Sequence, residues 1–297
     1  MARAPALDFR EFIEQRRGQR AGGKDGEGVA YAYASDKATR ATFDRMKPVE
    51  LAVTAAVRLF QTVGRNELLG HAVKVGPKQF PKIHKLVVEC SETLGITPPT
   101  LYIVSSPIAN AATFGTNEES FIMVHSALID HMTDAELKSV IGHECGHIHN
   151  SHVVYLTAMH YLTRMASQYV RWVAGPAMLA LSGWSRRAEV TCDRAGLLCA
   201  GSLDVSTRAL TKLALGSKKL YEDLNIEAFL DQNREGGDGI GRFAEMTASH
   251  PWLPKRILAL RAFAGSELYR KHAGLGEGGD PMEKVDEKVH EIIKVWG

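Results

Sequence analysis

Apolar residues recur at helical spacing over much of the chain. In residues 49–69 and 79–94 they follow one another at intervals of three or four positions, which predicts two amphipathic helices, the second ended by Gly95. A third helix is predicted over residues 133–148. A capping side chain at its start and Glu136 in its first turn precede a run of apolar positions.

Strand-like runs are short by comparison. Residues 101–104 and 120–124 are rich in β-branched and aromatic side chains and are bounded by polar residues, prolines or turns. Between them, residues 110–115 are expected to form a turn or the edge of a strand. The pattern as a whole predicts a mainly α fold with a small β-sheet, an α+β architecture.

The apolar region at residues 153–184 is a candidate membrane span. Arg164, Gln168 and Arg171 interrupt its first half, and one arginine at the centre of a bilayer costs about 2.5–3.5 kcal/mol. The uninterrupted remainder is shorter than the roughly 20 residues that a span requires. We therefore predict two packed helices here, with peripheral contact to a membrane surface as the alternative, and a further helical segment at residues 185–200.

The composition is that of an ordinary globular protein. Of 297 residues, 45% are hydrophobic and 24% charged, and 36 basic against 34 acidic side chains give a formal net charge of +2. Because positive and negative charges nearly balance, the chain has no overall positive electrostatic field that would attract nucleic acid. The first residues include several acidic side chains and no apolar run of signal-peptide length, so we expect a cytoplasmic location, with membrane association as the alternative.

The candidate chemistry lies in the third predicted helix, in the string His143-Glu144-Cys145-Gly146-His147. Residues i and i+4 of a helix lie about 40° apart around its axis and roughly 6 Å apart along it. Both imidazoles can therefore bind one metal ion. Glu144 lies about 100° round the helix, where its carboxylate can take a proton from a water molecule at that ion. The motif predicts a hydrolytic metal site.

A hydrolytic zinc site requires a third protein ligand and an open fourth position. Glu189 is a candidate ligand, and Asp193 follows it by one helical turn on the same face. A carboxylate behind a ligating histidine fixes its tautomer and raises its basicity, so this pair can meet both needs. Taken alone, the two residues are equally consistent with a solvent-exposed acidic face of a helix.

The order of these motifs resembles the HtpX and CAAX-prenyl-protease family of zinc metallopeptidases over residues 68–260. The matching residues are His143 to His147, Asn150, His152, Ser185-Arg186-Arg187, Glu189, Asp193, His250-Pro251 and Arg256-Ile257. The resemblance implies a gluzincin-like core that binds one Zn²⁺ per chain. It implies that His143, His147 and Glu189 are the zinc ligands, that Glu144 is the general base, and that Asp193 supports the first histidine.

Two further matches concern the substrate. Asn110 and Ala111 resemble the family segment that lines the cleft, and residues 121–124 nearby could pair with an extended peptide. His250 and Arg256 resemble the late motif of the family near the active site, and His250 is expected to stabilise the oxyanion that develops on the peptide. For Arg256, a catalytic role and an ion pair that holds the glutamate helix are both open.

The remaining cysteines and histidines near these motifs are expected to be structural. Cys145 and Cys192 are predicted to be small buried packing residues, because free cysteine behaves largely as a small hydrophobe. His149, His152 and His160 are expected on helix surfaces or in packing contacts, since no second cluster of metal ligands is evident in the sequence.

Together these features predict a zinc metalloendopeptidase that hydrolyses peptide bonds with a zinc-bound water activated by Glu144. The alternative is a latent or non-catalytic zinc scaffold with a protein-binding or chaperone-like role, which a site closed by four protein ligands would favour. The expected partner is a protein or peptide substrate of unspecified identity, and the oligomeric state is not indicated. We expect residues 1–75 to form an N-terminal helical segment with a flexible loop at 21–28, and residues 76–297 to form the catalytic domain, with an apolar helical insertion at residues 153–184.

Overall fold

The computed structural model describes residues 29–43, 46–60, 66, 70–116, 120–164, 175–235 and 251–294. The predicted loop at residues 21–28 and His250 lie outside these ranges. The strands are β1 (Ala72–Lys74), β2 (Thr100–Val104), β3 (Ala111–Gly115) and β4 (Ser120–His125). The helices are α1 (Ala34–Phe43), α2 (Lys47–Leu59), α3 (Pro81–Leu94), α4 (Ser126–His131), α5 (Asp134–His149), α6 (Val153–Arg164), α7 (Gly175–Ala200), α8 (Leu203–Leu215), α9 (Lys218–Glu222), α10 (Ile226–Glu235), α11 (Leu253–Ala264), α12 (Glu267–His272) and α13 (Met282–Ile293).

The four strands form one mixed sheet in the order β1-β2-β4-β3. β1 pairs antiparallel with β2, β2 pairs parallel with β4, and β4 pairs antiparallel with β3. The inner strand β4 is apolar over residues 121–124 because both of its faces are covered. Ile122 and Val124 pack into one hydrophobic cluster, whereas Phe121 and Met123 pack into another.

The two clusters lie on opposite faces of this sheet. The larger one joins the sheet to α3, α5, α7, α11 and α13. The smaller one is rich in aromatic residues and joins the other face to α2, α6 and the first half of α7, around Phe43, Tyr155 and Trp184. Because α7 contributes to both clusters, it links the two halves of the interior and passes beside α5.

The predicted α+β class is confirmed, and so are most of the predicted elements. α3 ends at Gly95, which takes the left-handed conformation that glycine favours at a helix end. Residues 110–115 contain a full strand, β3. The separate helix predicted at residues 185–200 is wrong in its boundary, because α7 runs unbroken from Gly175 to Ala200. A proline in the first turn of a helix is tolerated, so Pro176 lies at the start of α7 and does not interrupt it.

The segment before residue 75 packs onto the rest of the molecule. α1 and α2 both contact α7, and α2 also lies along α6. The boundary predicted near residue 75 stays a prediction. Within the described ranges, no helix combines the length and apolar character needed to cross a bilayer.

Candidate active site

Helix α5 carries the motif, and a capping box defines where it begins. The Thr133 hydroxyl accepts a hydrogen bond from the Glu136 N–H, and the Glu136 carboxylate accepts one from the Thr133 N–H at 2.8 Å. The same buried carboxylate accepts a hydrogen bond from Lys212 Nζ, also at 2.8 Å. These contacts fix the start of the helix, so that His143 and His147 follow on its later turns.

Helices α5 and α7 approach each other closely because small residues line their contact. A Cβ atom added at Gly142 would lie 2.6 Å from Cys199 Cβ, and one added at Gly146 would lie 2.7 Å from Ala195 Cβ. Both distances are far below the optimum for two carbon atoms, so these positions accept only glycine without a shift of one helix. Cys192 is fully buried at the same contact, opposite Gly146.

This close approach brings Glu189 of α7 opposite the two histidines of α5. The Nε2 atom of His143 lies 3.6 Å from Glu189 Oε2, and the Nε2 atom of His147 lies 3.6 Å from Glu189 Oε1. The two imidazole rings are nearly perpendicular, with their centroids 4.9 Å apart. One donor atom from each of the three residues lies within 4.8 Å of the others, a grouping that could hold a metal ion.

Behind this group, Asp193 and Arg256 form a buried charged pair. His143 Nδ1 lies 3.0 Å from Asp193 Oδ1, a hydrogen-bond distance. Arg256 donates from Nε to Asp193 Oδ2 at 2.8 Å and from Nη2 to Oδ1 at 2.6 Å, while its Nη1 lies 3.0 Å from Glu189 Oε2. One guanidinium therefore contacts both carboxylates.

The charges of these neighbours outweigh the effect of burial on each ionisable group. Burial raises the pKa of Asp193, but the charge and hydrogen bonds of Arg256 and the hydrogen bond of His143 lower it below its usual range. Burial lowers the pKa of Arg256, but Asp193 and Glu189 raise it above its usual range. Burial likewise lowers the pKa of His143, and the hydrogen bond of Asp193 with the charge of Glu189 raises it. Two carboxylates thus share one guanidinium, and Glu189 lies between Arg256 and the two imidazoles.

Glu144 lies beside the donor group and is held by the sheet. The Thr113 hydroxyl of β3 donates a hydrogen bond to Glu144 Oε2 at 2.6 Å. Glu144 is buried, and both residues line the same cavity of about 570 Å³ as His143, His147 and Glu189. The carboxylate is therefore oriented by a neutral donor from strand β3.

Strand β3 forms one wall of this cavity. Asn110 and Ala111 line it, and the Asn110 carbonyl accepts a hydrogen bond from the His125 N–H at 2.9 Å. The suggestion that residues 121–124 could pair with a peptide is wrong, because β4 lies between β2 and β3 and uses both of its edges. Among the strands that the structure describes, the free edge beside the cavity belongs to β3.

A sequence profile of known proteins matches this chain across the whole site. The profile is that of Peptidase family M48, and it covers residues 77–264. The chain belongs to peptidase family M48. It is therefore a metallopeptidase, and the expected membership of an HtpX-like family is confirmed.

Individual relatives of the M48 chain carry peptidase names. It is 40% identical over 172 residues to plastoglobule-localized metallopeptidase 48, chloroplastic, of Arabidopsis thaliana. The matched region is 57% of this chain and 50% of that protein, so the match spans half of the relative. It is 25% identical over 225 residues to the protease HtpX homolog of Moorella thermoacetica, covering 64% and 74% of the two chains. It is 28% identical over 211 residues to protease HtpX of Xanthomonas campestris, covering 60% and 70%.

The late M48-like motif is described only from Pro251 onward. His250 lies outside the described residues, so its expected role stays a prediction. Pro251 and Trp252, which follow it directly, line the cavity, and Arg256 lies one turn further along on α11. The structure thus brings the end of this motif to the candidate site.

Sequence reasoning missed three residues around the M48 motif. Thr113 had no signal beyond its place in a short strand. Asp36 lies before residue 77, where the family match begins, and it contacts His152. His152 is buried, as expected of a packing residue. No second cluster of metal ligands was evident in the sequence, but the structure brings His147, His152 and Cys192 together as a further group of potential metal donors. The Asn150-to-His152 part of the motif was the available signal, since it begins three residues after the second histidine.

Proposed function

We propose that this chain is a zinc endopeptidase in which His143, His147 and Glu189 hold one Zn²⁺. The observation that supports this most strongly is the convergence of two Nε2 atoms on the two oxygens of one carboxylate, at 3.6 Å each. Two imidazoles and a carboxylate are the ligand set of many hydrolytic zinc sites. Within the described ranges, no fourth histidine, cysteine or acidic side chain joins this group, which is consistent with a coordination position left for water or substrate.

Glu144 is the proposed general base. When bound, zinc supplies Lewis acidity, which polarises a peptide carbonyl and lowers the pKa of water. Glu144 accepts a proton from the attacking water and delivers it to the leaving amine. The hydrogen bond from Thr113 holds Glu144 at the cavity wall, so the carboxylate needs little reorganisation during proton transfer.

Asp193 and Arg256 are proposed as positioning residues. A carboxylate can only accept, so the Nδ1 atom of His143 that faces Asp193 carries a proton, and Nε2 is the nitrogen that is available to a metal ion. Arg256 contacts both Asp193 and Glu189 and is buried with them, which supports an ion-pair role more strongly than contact with a substrate. A buried carboxylate that keeps a cationic partner stays ionised and keeps its geometry.

The substrates of a peptidase are peptides or proteins, and β3 is the proposed place for the peptide backbone. An extended peptide can add to a free strand edge by main-chain hydrogen bonds, and Asn110 and Ala111, at the start of β3, line the cavity. His250, just before the cavity-lining Pro251, remains the proposed donor to the developing oxyanion.

The role assignment is tested by separating metal binding from hydrolysis. Purified chain is expected to bind about one zinc ion, and Glu144→Gln is expected to keep the zinc and lose cleavage of an unfolded protein such as casein. His147→Ala is expected to lose both, because a ligand and not the base is removed. Zinc content by atomic emission and cleavage by electrophoresis give the two readouts. Loss of zinc in Glu144→Gln with full binding in His147→Ala would contradict the assignment.

The alternative function, a non-catalytic zinc scaffold, makes a different prediction for the same sample. A structural zinc is closed by four protein ligands. X-ray absorption of the zinc-loaded protein would then show four nitrogen, sulfur or carboxylate ligands from the chain and no water. A three-ligand site with one water ligand is the expected result for the peptidase.

A further inference from the structure

His147 turns its second ring nitrogen away from Glu189 and toward His152. The Nδ1 atoms of the two rings lie 3.2 Å apart, a hydrogen-bond distance. The backbone folds sharply to make this contact: Ser151 takes a left-handed conformation with a φ of 62°, and the His152 N–H donates to the His147 carbonyl at 2.9 Å. A non-glycine residue in that region is strained. The turn after α5 therefore holds His152 against His147 at some cost in backbone energy.

The far side of His152 faces a buried carboxylate of α1. His152 Nε2 lies 3.2 Å from Asp36 Oδ2, and both side chains are almost fully buried. Asp36 also accepts hydrogen bonds from Trp184 Nε1 at 2.7 Å and from the Thr191 hydroxyl at 2.6 Å. Burial raises the pKa of Asp36, but His152 and these hydrogen bonds outweigh it and lower that pKa to about 2. The carboxylate is therefore ionised at neutral pH.

These contacts determine where the protons lie. Because an ionised carboxylate can only accept, the Nε2 atom of His152 must carry a proton toward Asp36. When His152 carries only this proton, its Nδ1 is an acceptor, and the 3.2 Å contact is a hydrogen bond that His147 donates from its own Nδ1. The thiol of Cys192 lies 3.6 Å from the same His152 nitrogen. Burial raises the pKa of that thiol, so it stays protonated and places no negative charge beside His152.

We infer that Asp36 and His152 are positioning residues which act as a carboxylate–imidazole relay and hold His147 in the tautomer that presents Nε2 to the metal. The inference rests on the proposed zinc site and adds two residues to it. Neither residue lines the cavity. The relay orients the ring of His147 through its Nδ1 atom, as Asp193 orients the ring of His143. Groups that orient a ligating histidine in this way commonly change metal affinity 10- to 100-fold.

The relay also gives a role to the segment before the M48 match. Asp36 lies in the first turn of α1, and the residues around it are fastened to the two site helices. The Tyr33 N–H donates to the Thr191 hydroxyl at 3.1 Å, and the Tyr31 hydroxyl lies 3.0 Å from His149 Nδ1. The Ala34 N–H donates to Asp286 at 2.9 Å. Residues 29–43 thus complete the surroundings of the metal site from outside the family-matched region.

The first test is the protonation of His152 in the wild-type chain. Long-range ¹⁵N–¹H correlation spectra of the imidazoles, recorded on metal-free and on zinc-loaded protein near neutral pH, report which nitrogen carries a proton. We expect His152 to be protonated at Nε2 and bare at Nδ1 in both samples. A proton on Nδ1 with a bare Nε2 would overturn the relay. Because the metal-free sample gives this result by itself, the test is independent of whether zinc binds.

The second test is zinc affinity, measured by competition with a chromophoric chelator on full-length protein. Asp36→Asn and His152→Ala are each expected to weaken zinc binding by about 10- to 100-fold. The double variant should bind no more weakly than His152→Ala, because both substitutions interrupt the same relay. Losses that multiply, or unchanged affinity in both single variants, would overturn it.

A matched control separates the relay from general attachment of the segment. Asp286→Asn removes another acidic partner of residues 29–43, one that contacts Ala34 and Arg194 and not His152. It should loosen the segment and leave zinc affinity within about twofold. An equal loss in Asp286→Asn would mean that docking alone matters, and a second zinc that disappears in Cys192→Ser would mean that His152 is a metal ligand. Either result overturns the relay, whereas failure of wild-type protein to bind any zinc contradicts the proposed function instead.

Discussion

The two histidines of the candidate zinc site are supported in different ways. His143 meets a carboxylate directly, since Asp193 lies 3.0 Å from its Nδ1 atom. The Nδ1 atom of His147 instead contacts His152, which in turn contacts the carboxylate of Asp36. Both arrangements orient an imidazole, but the direct one places a negative charge next to the ligand and the relayed one keeps that charge one ring away. One metal site therefore combines a charged half, in which the carboxylate lies next to the ligand, and a relayed half, in which the carboxylate lies one ring away.

The two halves also balance their buried carboxylates differently. Asp193 is paired with the guanidinium of Arg256, which also reaches Glu189. Asp36 is held by neutral donors, the indole of Trp184 and a threonine hydroxyl, together with His152. An ion pair buried this deeply depends strongly on both partners, whereas a carboxylate with several neutral donors loses only part of its support when one is removed. The charged half should therefore be the more sensitive to a single substitution.

The largest expected effect follows from removing the cation of the charged half. Arg256→Ala leaves Asp193 and Glu189 buried without their counter-charge, so we expect the free energy of unfolding of metal-free protein to fall by about 3–5 kcal/mol. Zinc should recover part of this loss, because the metal supplies positive charge at Glu189. Urea unfolding followed by circular dichroism, with chelator and then with excess zinc, measures both quantities.

The same helix provides the control for Arg256. Arg261 of α11 pairs with Glu227 at the surface, where the two side chains are 36% and 70% exposed. Exposed ion pairs contribute about 0–1 kcal/mol, so Arg261→Ala should change the unfolding free energy by no more than that. Similar losses of unfolding free energy in the two variants would show that the buried Arg256 pair stabilises the fold no more than the exposed Arg261 pair does.

Local sequence patterns were sufficient to predict the elements that carry the motif. The start of α5 follows from the Thr133 and Glu136 side chains, and the end of α3 follows from a glycine. Both signals depend only on residues close together in the sequence, so they can be recognised without knowledge of the fold. The short strand β1 and the unbroken length of α7 were not predicted, because they depend on partners elsewhere. β1 exists by pairing with β2, and α7 is held along its length by both hydrophobic clusters.

The candidate site divides in the same way between local and distant information. The spacing of His143 and His147 on one helix predicts a shared ion, and the spacing of Glu189 and Asp193 made them candidates for a third ligand and its support. The resemblance to known peptidases strengthened both and added Arg256, and the structure brings these residues together. Asp36 had no such signal. It meets Trp184 across 148 residues of chain, and an aspartate in the first turn of a helix has an ordinary reason to be there. Only the packing of α1 on α7 makes it a neighbour of the site.

The charged half should affect metal affinity independently of the relayed half. Asp193→Asn keeps the shape of the side chain and removes the charge that orients His143, so zinc binding should weaken about 10- to 100-fold. In the Asp36→Asn/Asp193→Asn variant the two losses should multiply, because each carboxylate supports a different ligand. Chelator competition on folded protein measures all three variants. A double variant no weaker than Asp193→Asn would show that the two halves act as one network.

The smallest expected effect is the acid sensitivity of the relayed half. The pKa of Asp36 is about 2 against an ordinary value of 3.8, so its ionised form is stabilised in the folded state. That contribution is present above the ordinary pKa and is lost as the pH falls toward the folded one. The shift corresponds to about 2 kcal/mol. The difference in unfolding free energy between wild type and Asp36→Asn should therefore be constant near neutral pH, narrow below about pH 4 and fall by roughly half near pH 3. Urea unfolding of metal-free protein in chelator measures this difference without any contribution from zinc release. A gap that stays constant across this range would mean that Asp36 has the same pKa in the folded and unfolded chains, and that its charge is not what holds His152.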